Sequence, residues 1–575
     1  MKFSRRHTIA AALGLTSGAV LIYVTFLPGG TPNTAPGPGP DAASDKILNR
    51  SVLSGGELRL WSDQGRDSWD PARTSSPFVH SMHRLYARTL LTYTSAPGTK
   101  GLQLRPDLAM SLPTVSADGK TYTFSLRQGL KYEDGAPILA KDIKYGIERN
   151  FDPKALPGAS RELFGILDPG GKYTGPSQGS GDRYSDLKSI EVPTDKTIVF
   201  HLTKPFADLP ALMARGESAP VPRVKDSGED YGVQPVSSGP YKFQSKRTGN
   251  KITLVRNTYW SRGVDSIRRA LPDTVNLTFG SGLEEFRKAV ADGAYDHASL
   301  NEPEDSWAAL VNDQSLKNKI DNTPSGTVRF GQFNAKSAPF QNLHCRRAVL
   351  YATNPKSTQA ALGGSSAASM TAQLLPPGTL GSDPPYDPYH LTAAAAQPKK
   401  AQQELRACGK EKGFTTKISV AEGDPRAAKA AEALVSAMKP VGIRATIEKH
   451  GGPSGTDPGQ DSGVILSSGS PSYASAGSFL RPLVAGGFSP ADAGPAAADP
   501  VVSGLLEKAA RQTDPYLSAD IYRQVNRRIM DQAWYLPISY DKTISYRSER
   551  LTNAYMHSAY RTLDFQALGI FNGGD

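Results

Sequence analysis

Three sets of side chains in this sequence have the types and spacing to do chemistry, and each has a plainer reading beside it. Gly175-Pro176-Ser177-Gln178-Gly179 fits the G-x-S-x-G pattern of a nucleophile elbow, which needs an apolar strand before the serine and a helix after it. The surroundings, DPGGKYTGPSQGSGDRY, are a Gly-rich loop with neither, so the match is read as chance and no catalytic residue is assigned. His80 and His83 lie three apart on an expected helix and suit two metal ligands, but no carboxylate or Cys completes a set nearby. They are read as surface or core histidines, and no metal is expected. No phosphate-cradling G-x-x-x-x-G-K-(S/T) run occurs, so neither a cofactor nor an enzymatic activity is expected. Cys345 opens the expected helix CRRAVLYAT, and Cys408 closes KAQQELRACG, with Gly409 just beyond its end. In an oxidising compartment an even cysteine count favours a disulfide, which would contribute about 4 kcal/mol by restricting the unfolded chain. The alternative is two buried free thiols; a catalytic Cys has no accompanying His pattern.

The compartment is read from the N-terminus. Lys2, Arg5 and Arg6 precede an uncharged, largely apolar run at residues 8–27, and a Pro/Gly-rich stretch follows. This predicts an export signal, and twenty uncharged residues also suffice for an uncleaved membrane anchor. Residues 28–53 are expected to be an extended tether. With 66 Lys and Arg against 55 Asp and Glu the net charge is +11. The two signs are interleaved and no dense basic run with aromatic stacking partners appears, so no nucleic-acid partner is expected. A chain of 575 residues, 38% of them hydrophobic, has enough apolar mass for two or more lobes.

The elements that position such side chains follow from periodicity. Asp118-Gly119 predicts a tight hairpin turn, and residues 121–126 then alternate Tyr122, Phe124 and Leu126 against Thr and Ser, a half-buried strand. A second turn at Glu133-Asp134-Gly135 leads to a helix whose apolar stripe is Leu139, Ile143 and Ile147 and which ends near Arg149. Further strands are expected at 56–61, 197–202, 251–256, 274–279 and 416–420. Helices are expected at 283–292, at 426–440 and, with breaks, at 500–534. Mixed strands and helices predict α/β lobes.

The stretch from Arg105 to Arg149, with its P-D-L-A, DGKTYTFSLRQGLKYEDGAP and A-K-D runs, resembles the family 5 extracellular solute-binding proteins, the oligopeptide, dipeptide and nickel receptors of ABC importers. Ser238-Gly239-Pro240-Tyr241-Lys242-Phe243, Asn257-Thr258-Tyr259-Trp260, Phe333-Asn334 and Arg346-Arg347-Ala348-Val349-Leu350-Tyr351-Ala352 are similar to later motifs in family order. Gly363-Gly364 and Leu375-Pro376-Pro377-Gly378 look like the actinobacterial branch. At Leu139 the family usually has Thr or Ser as a helix cap, a change expected to cost about 1 kcal/mol.

The resemblance implies a two-lobed, periplasmic-binding-protein-like (type II) α/β fold with an inserted domain and a ligand cleft between the lobes. Lobe I would comprise residues 54–94, 191–327 and 535–575, the inserted domain 95–190, and lobe II 328–534. The cleft would close on a peptide or peptide-like ligand by hinge motion and hand it to ABC permease subunits, the receptor acting as a monomer on the outer face of the membrane. Trp61 and Asp63, Asn334, Ser472 and Tyr473 are the candidate ligand-binding residues. Ser472 stands where peptide receptors have an Asp that pairs with the ligand's α-amine, a loss of roughly 1.5–3 kcal/mol of charge-assisted bonding. Ser472→Asp is therefore expected to strengthen peptide binding, unless another acidic residue such as Asp63 supplies the countercharge. A second reading is a receptor fold recruited as an accessory factor or enzyme in specialised metabolism. The absence of any Cys before Cys345, where a lipid anchor is usual in such receptors, motivates it.

Overall fold

Strand positions in this protein follow the alternation of apolar side chains, and Asp-Pro or Ser-Pro pairs start several of its helices. The structure is a computed structural model that describes residues 40–571, apart from 66–67, 74–75, 155, 157–161, 177–185, 247–248, 302–306, 394, 452–461 and 486–494. The predicted anchor at 8–27 and Ser177 of the G-x-S-x-G match lie outside the described residues. Among the described residues no helix is long and apolar enough to cross a membrane.

In chain order the strands that matter for the site are β1 (Glu57–Ser62), β2 (Thr114–Val115), β3 (Thr121–Ser125), β4 (Ile190–Thr194), β5 (Thr197–His201), β6 (Tyr241–Phe243), β7 (Lys251–Arg256), β8 (Thr274–Phe279), β9 (His297–Leu300), β10 (Ile320–Phe333), β11 (Thr415–Ala421), β12 (Arg444–His450), β13 (Val464–Gly469) and β14 (Tyr535–Arg547). The helices are α1 (Pro77–Tyr86), α2 (Ala140–Glu148), α3 (Gly282–Ala291), α4 (Leu343–Ala352), α5 (Pro398–Ala407), α6 (Pro425–Met438), α7 (Gly477–Val484), α8 (Pro500–Arg511) and α9 (Pro515–Asp531). Ser76, Asp424, Asp499 and Asp514 each accept backbone N–H bonds at a helix start with Pro in the first turn, which satisfies donors that the helix cannot.

One continuous sheet runs in the order β12-β11-β13-β10-β14-β9-β1-β8-β7-β6. At one end β9, β1 and β8 are parallel, and at the other β12, β11 and β13 are parallel. The long antiparallel pair β10 and β14 joins them. Residues Ile320 to Pro324 pair with Lys542 to Tyr546, Val328 to Gln332 pair with Tyr540 to Tyr535, and the register shifts between Pro324 and Val328. Each half belongs to a different core. Ile320 and Ile544 pack with Trp61 and Phe286 in lobe I, whereas Val328, Phe330 and Tyr535 pack with Ile418, Leu434 and Phe479 in lobe II. The irregular residues 325–327 therefore sit where the chain crosses between lobes.

The inserted domain holds a separate sheet, β2-β3-β5-β4. Gly119 has φ +70° in its hairpin turn, a value glycine adopts without strain, and Tyr122 and Phe124 point into a core with Ile143, Ile147 and Phe200. Here the expected boundary is corrected. Residues 191–201, assigned to lobe I, form β4 and β5, and Phe200 pairs opposite Tyr122. Strand period reveals which side chains turn inward but not which sheet receives them. Leu139, expected in the helical stripe and at the cap position, is the half-buried N-cap of α2, where the Asp142 carboxylate accepts its N–H at 3.0 Å. Cys345 in α4 and Cys408 at the end of α5 are joined by a disulfide, with Cα atoms 5.5 Å apart.

Candidate functional site: a cleft at the strand crossing

A cavity of about 690 Å3 opens beside the irregular segment of β10. Its lobe I wall is built by the loop after β1, with Asp63, Gln64 and Gly65, and by α1. In α1, Phe78, Val79, Met82 and Leu85 face the core, while His80, His83 and Arg84 recur at helical spacing and, with Ala87 just past the helix end, line the cavity. The opposite wall is the loop after β13, Ser470 to Tyr473. Ser325 and Thr327 at the crossing and Tyr560 and Arg561 in the C-terminal segment complete it. Thr327 and Ser470 hydroxyls lie 3.1 Å apart across the crossing.

The charges around the cavity are mostly paired. Arg84 donates to Asp564 at 2.6 Å and stacks over the Tyr560 ring. Arg215 pairs with Glu217 at 2.6 Å and stands 3.5 Å from Glu162. Burial drives the His83 imidazole down to about 3 and, with Arg215 and His83 adding repulsion, holds His80 well below the usual histidine range. Both rings are thus neutral at physiological pH. Neither ring nitrogen of His83 has a hydrogen-bond partner among the described residues, which leaves them available to a ligand. No group of three or more His, Cys, Asp or Glu side chains is placed to hold a metal among the described residues.

Three of the candidate residues line the cavity. Asp63 is half-buried there, and its carboxylate accepts the Asn301 N–H at 2.9 Å. Ser472 also lines it, and its hydroxyl donates to Glu162 at 2.8 Å. Tyr473 is buried in the inserted domain's core, with its hydroxyl accepting from Arg481 at 2.8 Å. Arg481 in turn pairs with Asp208, whose neighbours Phe206 and Leu209 pack in that same core, so the 473–481 segment of lobe II is tied across to it.

The other two candidates are corrections. Trp61 points away from the cavity and packs edge-on against Phe286 at 5.7 Å in the lobe I core, because successive residues of β1 face opposite sides of the sheet. Asn334 fixes a turn in lobe II, donating to Ser462 O at 2.9 Å and accepting from Lys336 N at 3.0 Å. The polar stripe on α1 was legible in HSMHRLY as positions 80, 83 and 84. Glu162, Arg215 and Arg561 come from three distant segments, and no local pattern marks them.

Comparison with known proteins is consistent along the chain. The family model for bacterial extracellular solute-binding proteins, family 5 middle, matches residues 103–490. The glutathione-binding protein GsiB of Salmonella paratyphi A is 25% identical over 468 residues, covering 77% of this chain and 82% of the relative. Among solved structures, the clavulanic acid biosynthesis oligopeptide binding protein 2 has a TM-score of 0.84 at 34% identity, covering 93% of this chain and 99% of that one. The unliganded open form of MppA, a periplasmic murein tripeptide binding protein, shares the fold with a TM-score of 0.73 at 19% identity, covering 91% and 99%. With two lobes joined by one strand pair, a cleft at their crossing and these matches, the chain belongs to family 5 of the bacterial extracellular solute-binding proteins.

Proposed function

We propose that this protein is the extracytoplasmic receptor of an ABC importer and that it captures short peptides or peptide-like compounds. The observation that carries this reading is the cavity at the β10–β14 crossing. Its volume lies within the roughly 300–1,000 Å3 of small-molecule sites, and its walls come from both lobes. A ligand touching all of them stabilises the closed arrangement over the open one, which is the difference a permease can sense. The ligands of the glutathione-binding and oligopeptide-binding relatives, as their names state them, support the ligand class. Asp63 supplies the countercharge for the ligand's ammonium, since it is the one carboxylate among the described lining residues. The receptor works as a monomer, held at the membrane through residues 8–27.

The test compares trialanine with N-acetyl-trialanine by calorimetry and by tryptophan fluorescence. Trp69 is a suitable reporter, because its indole N–H donates to Gly65 O at 3.0 Å on the cavity wall. Asp63→Asn is expected to weaken trialanine binding by roughly tenfold to a hundredfold, about 1.5–3 kcal/mol, and to leave the acetylated peptide unaffected. Equal loss for both peptides would remove Asp63 from this role, and no binding of either would count against a peptide ligand.

A further inference from the structure

Arg561 differs from the other arginines that line the cavity. Arg84 and Arg215 face carboxylates, but Arg561 has no carboxylate partner among the described residues. Its guanidinium donates to Thr379 Oγ1 at 2.9 Å and to Gly326 O at 3.4 Å, both neutral. Its backbone has φ +53°, a left-handed conformation that L-residues disfavour and that persists where surrounding structure imposes it. Gly326, at φ +91° in the irregular part of β10, gives the guanidinium its space, since a Cβ there would stand 2.1 Å from Nη1. Burial lowers the guanidinium only to about 10, so it stays charged at neutral pH. A half-buried cation held against neutral partners lowers stability unless an anion joins it.

We propose that Arg561 is the anion subsite of the cleft and that the ligand carries a carboxylate which pairs with it beside the strand crossing. Planar guanidinium and carboxylate match in a two-bond fork. The carboxylate comes from a peptide C-terminus or from an acidic side chain. The pairing is a deeper statement of the receptor reading above and rests on the same cavity.

The test uses the purified full chain, Arg561→Gln and Arg561→Lys with three peptides: trialanine, its C-terminal amide, and the amide of Ala-Glu-Ala. Glutarate serves as a non-peptide carboxylate. Wild-type protein is expected to bind trialanine at least tenfold tighter than its amide if the C-terminus is the partner. If a side chain is the partner, the Ala-Glu-Ala amide should be at least tenfold tighter than the trialanine amide. Arg561→Gln should erase that preference and Arg561→Lys should restore part of it. The ligand-free Arg561→Gln protein should also melt at a higher temperature than wild type, whereas a structural tie to Thr379 would make it melt lower. Equal affinity for acid and amide in wild type, or a preference that survives Arg561→Gln, overturns the proposal and leaves the peptide reading intact. Arg561-dependent binding of glutarate with no peptide binding keeps the anion subsite and removes the peptide. Binding of none of these probes overturns both.

Discussion

Ser472 carries no charge, yet its hydroxyl donates to Glu162, so a carboxylate stands behind the position where peptide receptors of this family have Asp. Glu162 arrives from a segment 310 residues away. Burial raises its pKa, with Arg215 and the Ser472 hydroxyl opposing that shift. A second carboxylate at 472 would meet the first at hydrogen-bond distance in a partly buried site, and like charges there disfavour ionisation of both. The expectation formed on Ser472 alone is therefore reversed. Ser472→Asp is predicted to lower stability by about 1–3 kcal/mol and to give no gain in affinity for trialanine, read by urea unfolding and calorimetry. A tenfold gain in affinity would show that the aspartate reaches the ligand free of Glu162. At this scale the sequence identified the position and its missing charge, while the neighbour that changes its meaning came from chain folding.

At the scale of elements, local signals were reliable and partners were not. Residues 251–256 and 274–279 form strands over their expected spans, and the break expected within 500–534 separates α8 from α9 at the Asp514-Pro515 start. These features depend on side-chain alternation and on capping, which a short window contains. The membership of β4 and β5 in the inserted sheet depends on pairing with β3, about 75 residues earlier, which a short window does not contain. The disulfide between α4 and the end of α5 shows the energetic side of such long-range links. It closes a separation of 63 residues, and on the chain-entropy view its loss costs about 4 kcal/mol. Cys345→Ser with Cys408→Ser is predicted to lower the unfolding free energy by that amount, seen as a lower urea midpoint, and to leave cleft affinity unchanged, because neither cysteine lines the cavity. An unchanged midpoint in both the variant and the reduced protein would mean that the bond adds nothing to stability.

Over the whole molecule, buried histidines couple stability to pH. Burial lowers His83 to about 3 and His297 and His557 to about 4, against 6.5 for an exposed ring. Below pH 6.5 the unfolded chain takes up protons that the folded chain refuses, so their contribution is complete above that pH and is lost as pH falls toward 4. Each can remove up to about 1.4 kcal/mol per pH unit in that window. Stability is predicted to fall between pH 7 and pH 5, measured by urea unfolding, and His297→Gln, which keeps a donor toward Tyr546 O, should flatten the slope. A flat profile in wild type would show that these rings are not held neutral by burial. The fold family, the approximate positions of the hairpin and helices, the presence of Ser472 in place of an acid and the two cysteines are legible without coordinates, because motif order, periodicity and turn chemistry are local properties. That Trp61 and Asn334 lie outside the cavity, that Glu162 backs Ser472, and that Arg561 faces the cavity across Gly326 emerges from the folded chain alone. Those facts depend on which face of a strand meets which core and on contacts between residues hundreds of positions apart, and no sequence period records them.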